Sequence, residues 1–280
     1  MALLGLIGHP VSHSLSPVIH SVTCLIKGLP HRYVAIDVSE REAVRSVLRS
    51  LHDLGFLGLN VTIPHKEEAF RCSVRVSRDA EAIGAVNVLV RTPDGWEGHN
   101  TDWVAVEEAL RERGVVGFRR AVLIGAGGAA RAAAYALART GAREVVVVNR
   151  TESRGLELSK TCGERFGVPA RFAPLSELGR VVRGAEVVVN AIPAGLSHDA
   201  DLPLDVEDLR GVAFLVDLVY SRTGEPPATR LGRAAGCEVV DGIEVLARQA
   251  AHSFRLWTGI DPGHRLMEHI ARSCVRWSGG

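Results

Sequence analysis

Apolar positions along this chain gather in short runs that alternate with stretches of helical period, and glycine or proline marks most of the changeovers. The pattern is sharpest between residues 121 and 154. An apolar run over 121–124 meets the turn Gly125-Ala126-Gly127-Gly128-Ala129-Ala130. An alanine-rich segment then places Ala130, Ala133, Ala134 and Leu137 on one helical face until Gly141 stops it. A second apolar run over 145–148 ends in Asn149-Arg150-Thr151. Strand, glycine turn, helix and strand in that order form the first unit of a dinucleotide-binding domain. The alternation continues with a helix over 156–166, a strand over 185–190, a long buried strand over 212–219, a helix over 228–235 and a strand over 237–240.

The first hundred residues have the same rhythm. Strands are predicted over 3–7, 33–37, 58–64 and 85–90, helices over 40–54 and 67–82, and a turn at Pro93-Asp94-Gly95. Ser16 before Pro17 predicts a helix start with Ser16 as its N-cap, and another helix begins near Trp103. Together these elements predict an α/β domain with a mainly parallel sheet. Near the C-terminus, one amphipathic helix over 244–257 carries Leu246, Ala250, Phe254 and Trp257 along a face. Gln249 lies off that stripe, either reaching a ligand or exposed, and a last helix spans 266–276.

Composition narrows the class. At 280 residues with 46% hydrophobic content, the chain has length and core enough for two domains. A net charge of +1 argues against nucleic acid or an anionic membrane as the main partner. No apolar run approaches the length of a membrane span. The opening MALLGLIGHP lacks a basic start and is broken by Gly5, Gly8 and Pro10, so no signal peptide is expected. The five cysteines (Cys24, Cys72, Cys162, Cys237, Cys274) form no CxxC pair, which suits a reducing cytoplasm with neither a metal site nor a disulfide frame. Arginine supplies nearly all the basic charge, and the lysines are Lys27, Lys66 and Lys160 alone.

Candidate chemistry follows from residue types at set places. Gly125 permits a tight turn, Gly127 admits a close backbone approach to a pyrophosphate, and the following helix N-terminus supplies free N–H groups for the phosphates. NAD binders place an acid at the end of the second strand to accept from the ribose 2′-OH. This chain offers Arg150 and then Arg154, cations whose forks suit a 2′-phosphate, so NADP is expected. Glu152 reads as a first-turn residue behind a Thr151 cap. Ser14 and Ser16 stand between a strand end and a helix start, where they either serve the helix alone or receive a small carboxylate. Lys66 is either a surface lysine or a proton donor, a task open to lysine and closed to arginine. Asp102 either caps a helix or holds that ammonium, and Asn87 is either a bulge residue or a bonded buried amide.

The same residues resemble a known family, the shikimate dehydrogenases. GHPVSHSLSPVIH over 8–20 looks like its substrate loop, and NVTIPHKEEA, IGAVNVLV and GHNTD look like its next three motifs. GAGGAAR and NRTESR match its cofactor turn and 2′-phosphate loop, while NAIPAGL, DLVY and DGIEVLARQAAHSFRLWTG follow in order. The resemblance implies a two-domain fold: an α/β substrate domain over 1–102 with 241–280, and an NADP-binding Rossmann domain over 103–240, with the active site between them. It implies reversible NADP(H)-linked reduction of 3-dehydroshikimate to shikimate, with quinate or aminoshikimate oxidation, or a non-catalytic NADP-binding regulator, as the alternatives. By position it implies that Ser14 and Ser16 bind the substrate carboxylate and that Thr62, Asn87, Asp102, Tyr220 and Gln249 hold the ring hydroxyls. Lys66 matches the catalytic lysine, paired with Asp102. Gly125, Ala126, Gly127, Gly128 and Ala129 match the pyrophosphate turn, and Asn149, Arg150, Thr151 and Arg154 the adenosine-phosphate grip. Leu218 and Gly242 match positions beside the nicotinamide. Ser21, Val88, Arg222, Glu225, Ile192 and Leu196 depart from the family's usual residues, the last two near the expected nicotinamide region. The expected assembly is a monomer or a homodimer.

Overall fold

A computed structural model of the chain describes residues 2–192 and 202–277. Leu196, one of the departures, lies outside them. The chain forms two compact units, one from the residues up to Thr101 together with those from Ala247 onward, the other from Asp102 to Leu246. No helix among the described residues is long and apolar enough to cross a membrane.

The first unit opens with β1 (Leu3–Gly8), α1 (Ser16–Ile26), β2 (Arg32–Asp37), a 3-10 turn (Arg41–Ala43), α2 (Val44–Asp53) and β3 (Phe56–Val61). It continues through α3 (Lys66–Cys72), β4 (Arg75–Val76), α4 (Arg78–Ile83), β5 (Val88–Thr92) and β6 (Gly95–His99). The sheet order is β2-β1-β3-β5-β6-β4. β1 runs parallel to β2 and β3, and β4 parallel to β6, whereas β5 is antiparallel to both neighbours. The sheet is therefore mainly parallel, and its exception has a local cause. Pro93 and Asp94 make a turn too short for anything but an antiparallel return.

The second unit runs α5 (Asp102–Glu112), β7 (Phe118–Ile124), α6 (Gly128–Thr140), β8 (Ala142–Asn149), α7 (Glu152–Glu164), β9 (Ala170–Pro174) and α8 (Leu178–Val182). β10 (Val187–Asn190), β11 (Phe214–Asp217), α9 (Pro227–Ala234) and β12 (Glu238–Val240) follow. α10 (Gly242–Thr258) begins here and continues into the first unit, where α11 (His264–Trp277) ends the described chain. The second sheet, ordered β12-β11-β10-β7-β8-β9, is parallel throughout. Its valine runs need no alternation because helices cover both faces: Val145, Val146, Val147 and Val148 of β8 are all fully buried. Strand order reverses direction at β7 and β10, the crevice where open α/β sheets bind ligands.

Several expected elements differ. The helix over 67–82 is two helices, because Arg75 and Val76 form the short strand β4 between them and the Ser77 hydroxyl accepts from Ala80 N at 3.2 Å, capping α4 afresh. The helix over 40–54 begins as the 3-10 turn, and the strand over 58–64 stops at Val61 ahead of Pro64. The strand over 85–90 shifts to Val88–Thr92, and that over 212–219 narrows to Phe214–Asp217. β6, β9 and α8 appear where no element was expected. Ser16 is not a cap: α1 is entered through Leu15, and Ser16 N donates to Ser14 Oγ at 3.2 Å, so Ser14 supplies the hydroxyl.

Within the first unit, Trp257 of α10 packs on the sheet, its Nε1 donating to Leu89 O at 3.0 Å. Gly58 makes room, since a Cβ there would stand 2.1 Å from the indole. Against this indole lies His20, stacked on Tyr33 with ring centroids 4.6 Å apart. His20 is fully buried, and among the described residues neither ring nitrogen completes a hydrogen bond. Burial pushes its pKa from 6.5 down to about 3, with Asn60 opposing only in part. Below about pH 6.5 the unfolded chain thus binds a proton that the folded chain refuses, and stability falls as pH drops toward about 3. We expect His20 to contribute up to about 1.4 kcal/mol of lost stability per pH unit across that window. Urea unfolding at stepped pH, compared with His20→Phe, checks this; an identical pH dependence in both proteins would clear His20 of the effect.

Candidate active site

Four connections of the first unit leave its sheet at one edge. β1 and β3 are parallel neighbours with Ile7 opposite Val61, so the serine loop and the turn before α3 emerge side by side. The hairpin's outer ends, Asn87 and Asn100-Thr101, return to that edge because Val88 pairs with both Asn60 and His99. Topology thereby gathers Ser14, Ser16, Thr62, Lys66 and Asn87. Gly8 lets the first two connections touch, as a Cβ there would stand 2.2 Å from Thr62 Cγ2.

The serine loop is clasped from β2. Asp37 accepts from His9 Nδ1 at 2.5 Å and from Val11 N at 3.2 Å, and Val11 O accepts from Ser14 N at 3.0 Å. The His9 bond holds the Asp37 carboxyl below its ordinary range. Ser14 is half-buried and Ser16 buried. Lys66 opens α3, and its carbonyl accepts from Val86 N at 3.0 Å, tying it to the residue before Asn87. Of the acids after it, Glu68 bonds Arg71 at 2.9 Å and Arg41 at 3.4 Å. Burial pushes the Glu68 carboxyl up, but those guanidinium bonds outweigh it and leave it below its usual value.

Asn87 is a bonded buried amide. Its Nδ2 donates to Thr101 Oγ1 at 3.0 Å and to Gln249 Oε1 at 3.4 Å, and its Oδ1 accepts from Thr101 N at 2.7 Å. Thr101 Oγ1 lies 3.3 Å from Ser253 Oγ, which accepts from Asn60 Nδ2 at 3.0 Å, and Tyr33 OH donates to Asn60 Oδ1 at 2.8 Å. Gln249 is therefore buried, not exposed; α10 is covered on more than its apolar stripe, and the amide faces Asn87. Sequence reasoning missed Thr101, Ser253 and Asn60. Only Asn60 carried a signal, as a lone amide inside an apolar strand.

The second unit holds the glycine turn. Gly125 has φ +115°, its N–H donates to Val148 O at 2.8 Å, and a Cβ would stand 2.8 Å from Ile192 Cγ2. Ala126 is buried in the core, so only its backbone faces outward, and Gly127 is the N-cap of α6. A Cβ on Gly127 would meet nothing within 4 Å, which leaves open space at the N–H groups of Gly128 and Ala129. Ala130 packs in the core between helix and sheet. Asn149 ends β8 with Nδ2 donating to Thr151 O at 2.8 Å. Arg150, Thr151 and Arg154 are exposed, and among the described residues no ion pair engages either arginine. Glu152 lies in the first turn of α7 as expected, and Thr151 stands exposed at the N-cap without a side-chain cap bond. An open turn, a free helix terminus and two unpaired guanidiniums fit a dinucleotide with a 2′-phosphate.

Leu218 is half-buried against the core around β7, and Leu218 N donates to Asn190 O at 2.9 Å. Gly242 opens α10, where a Cβ would stand 2.2 Å from Val219 O. Tyr220 is half-buried in the connection after β11, and Asp102 opens α5, both in the second unit.

Comparison with known proteins places these features in one family. The model for the shikimate dehydrogenase substrate binding domain matches residues 6–89, that for shikimate / quinate 5-dehydrogenase residues 107–223, and that for the shikimate 5'-dehydrogenase C-terminal domain residues 242–272. A relative named shikimate dehydrogenase (NADP(+)) from Methanopyrus kandleri is 41% identical, with 98% of this chain and 96% of that protein covered. Shikimate 5-dehydrogenase from Thermus thermophilus, solved in complex with NADP(H) and shikimate, superposes with a TM-score of 0.84 at 37% identity, covering 98% of this chain and 100% of that one. Quinate dehydrogenase from Corynebacterium glutamicum, solved with NAD, has a TM-score of 0.87 at 32% identity over 97% of this chain and 99% of that one. The chain belongs to the shikimate dehydrogenase family.

Proposed function

We infer that this protein catalyses the reversible NADP(H)-linked reduction of 3-dehydroshikimate to shikimate. The observation that carries the reading is the presence in one chain of two half-sites. One is a hydroxyl- and amide-rich sheet edge with a lysine beside it; the other is an open phosphate turn followed by two unpaired arginines. The substrate domain spans 1–102 with 241–280 and the cofactor domain 103–240. The assembly in this reading is a monomer or a homodimer. All five cysteines are free thiols, which suits the reducing cytoplasm.

Ser14 and Ser16 bind the substrate carboxylate, and Thr62, Asn87, Tyr220 and Gln249 hold the ring hydroxyls together with Asp102. A bound NADP(H) would supply the hydride chemistry at the carbon that bears the ketone. Lys66 gives a proton to the oxygen as it gains charge and takes one from the hydroxyl in reverse, with Asp102 orienting its ammonium. The backbone from Gly125 through Ala126, Gly127 and Gly128 to Ala129 carries the pyrophosphate. Asn149, Arg150, Thr151 and Arg154 take the adenosine end, and Leu218 and Gly242 stand beside the nicotinamide.

The NADP-named relatives favour this reading over the quinate dehydrogenase that binds NAD. Absorbance of the reduced cofactor, followed with shikimate or quinate and NADP+ or NAD+, is expected to show rapid turnover with shikimate and NADP+ alone. A preference for quinate or NAD+ would overturn the substrate assignment, and NADP+ binding without turnover would favour a regulator. Lys66→Ala is expected to lower kcat by roughly 10²–10⁴ with NADP+ affinity retained; unchanged turnover would remove Lys66 from the chemistry. Arg150→Ala is expected to weaken NADP+ by about tenfold or more while NAD+ changes little, the loss of a charge-assisted bond. Equal losses for both cofactors, measured by titration calorimetry, would refute the 2′-phosphate role.

A further inference from the structure

The apolar run that forms β11 ends in a fully buried carboxylate, Asp217, which the reading above leaves without a task. Its Oδ1 accepts from Asn190 Nδ2 at 2.9 Å and from Val219 N at 3.1 Å, and its Oδ2 accepts from Thr229 Oγ1 at 2.9 Å. All three partners donate, which is the arrangement an ionised carboxylate requires. Burial pushes this carboxyl upward from its ordinary value, and these bonds, with one more from the Thr229 backbone, work against that rise. An apolar residue would end the strand at lower desolvation cost.

The bonds have a direction. Asn190 is the ladder partner of Asp217 at the end of β10, and its Oδ1 accepts from Ile192 N at 3.3 Å. Asp217 therefore sets the first residues of both connections that leave the sheet there: Ile192 through Asn190, and Val219 directly. Each bears on a cofactor position. The Ile192 methyl fills the space a side chain at Gly125 would need, at 2.8 Å, and Val219 O lies 2.2 Å from where a Cβ on Gly242 would stand. Leu218 sits between, held by Asn190 O. The adenosine-side residues Arg150, Thr151 and Arg154 are set instead by β8 and α7, on the far side of β7 from β10.

We propose that Asp217 is a positioning residue for the nicotinamide half of the cofactor, acting through Asn190 on Ile192 and through Val219 on Leu218 and Gly242. It touches no ligand. The proposal rests on the NADP-dependent reading above, and its test separates the two. Binding of NADP+ and of 2′,5′-ADP is measured by calorimetry, and kcat and KM with shikimate are measured alongside, for the unaltered protein, Asp217→Ala and Asp217→Asn. Asp217→Ala is expected to weaken NADP+ and lower kcat by about tenfold each, the scale of buried N–H groups left unpaired, while 2′,5′-ADP changes by less than about twofold. Asp217→Asn keeps the oxygen that Asn190 and Val219 share and turns its amide toward Thr229, whose hydroxyl rotates to accept while its backbone N–H loses its acceptor, so it restores both quantities in part, to between Asp217→Ala and the unaltered protein. A merely structural role would weaken both ligands together, or neither, and either result overturns the proposal. Where Asp217→Ala does not fold, Asn190→Ala frees Ile192 alone and must show the same split between NADP+ and 2′,5′-ADP, in smaller measure. If the unaltered protein binds no NADP+, the cofactor reading fails and takes this inference with it; NADP+ binding without shikimate turnover leaves the binding comparison decisive.

Discussion

A polar side chain placed inside an apolar strand or at its end must find a partner, and that constraint shapes both units of this protein. Asn60, Asn87, Asn190 and Asp217 are buried at or beside strand ends, and each is bonded to a neighbouring strand or connection. Leaving one such group unsatisfied costs about 1–3 kcal/mol, more than a surface loop gains by moving. The connections they grip are therefore pinned, and these connections carry the proposed ligand contacts. In the first unit Asn87 pins Thr101 and Gln249. In the second, the Asn190–Asp217 pair pins the two connections beside the phosphate turn.

His20 is the counterexample that shows what else can hold a polar ring. It forgoes hydrogen bonds and takes aromatic neighbours instead, Tyr33 and Phe254 stacked nearly parallel to it and Trp257 tilted. Stacking of this kind is worth about 0.5–1.5 kcal/mol per pair beyond burial. The arrangement survives only with a neutral ring, which is why burial displaces its titration so far. Close backbone approaches complete the picture. Gly8, Gly58 and Gly242 each stand where a single methyl would collide with a neighbour, and each collision would separate parts that the proposed site needs together.

Much of this was legible beforehand where local pattern and tertiary need agree. The turn from Gly125 to Ala129 lies between two strands and opens a helix, as its spacing requires, and Gly141 ends that helix in the left-handed conformation. Arg150 stands exposed just after β8, where an acid would mark NAD, and Arg154 is exposed in the first turn of α7. Legibility failed where a short element depends on a distant partner. The two residues of β4 are extended because β6 accepts them, and β6 exists because β5 turns back. Gln249 read as off the apolar stripe, yet lies buried because the polar groups it meets, Asn87 and Thr101, come from far away in the chain.

What the chain's order of residues determined alone is the set of local devices: alternating strands and helices, the glycine turn, the cations after the second strand, the paired serines and Lys66, one of three lysines in an arginine-rich chain. These depend on backbone geometry and residue chemistry within a few positions. Tertiary structure alone decided which of the polar residues are joined. The Asn87–Thr101–Gln249 and Asn190–Asp217–Thr229 networks cross long sequence separations, and only the folded sheet brings their members within bonding distance. A buried hydrogen bond is a fact about two positions in space, and a linear pattern of apolar and polar residues records only one of them at a time.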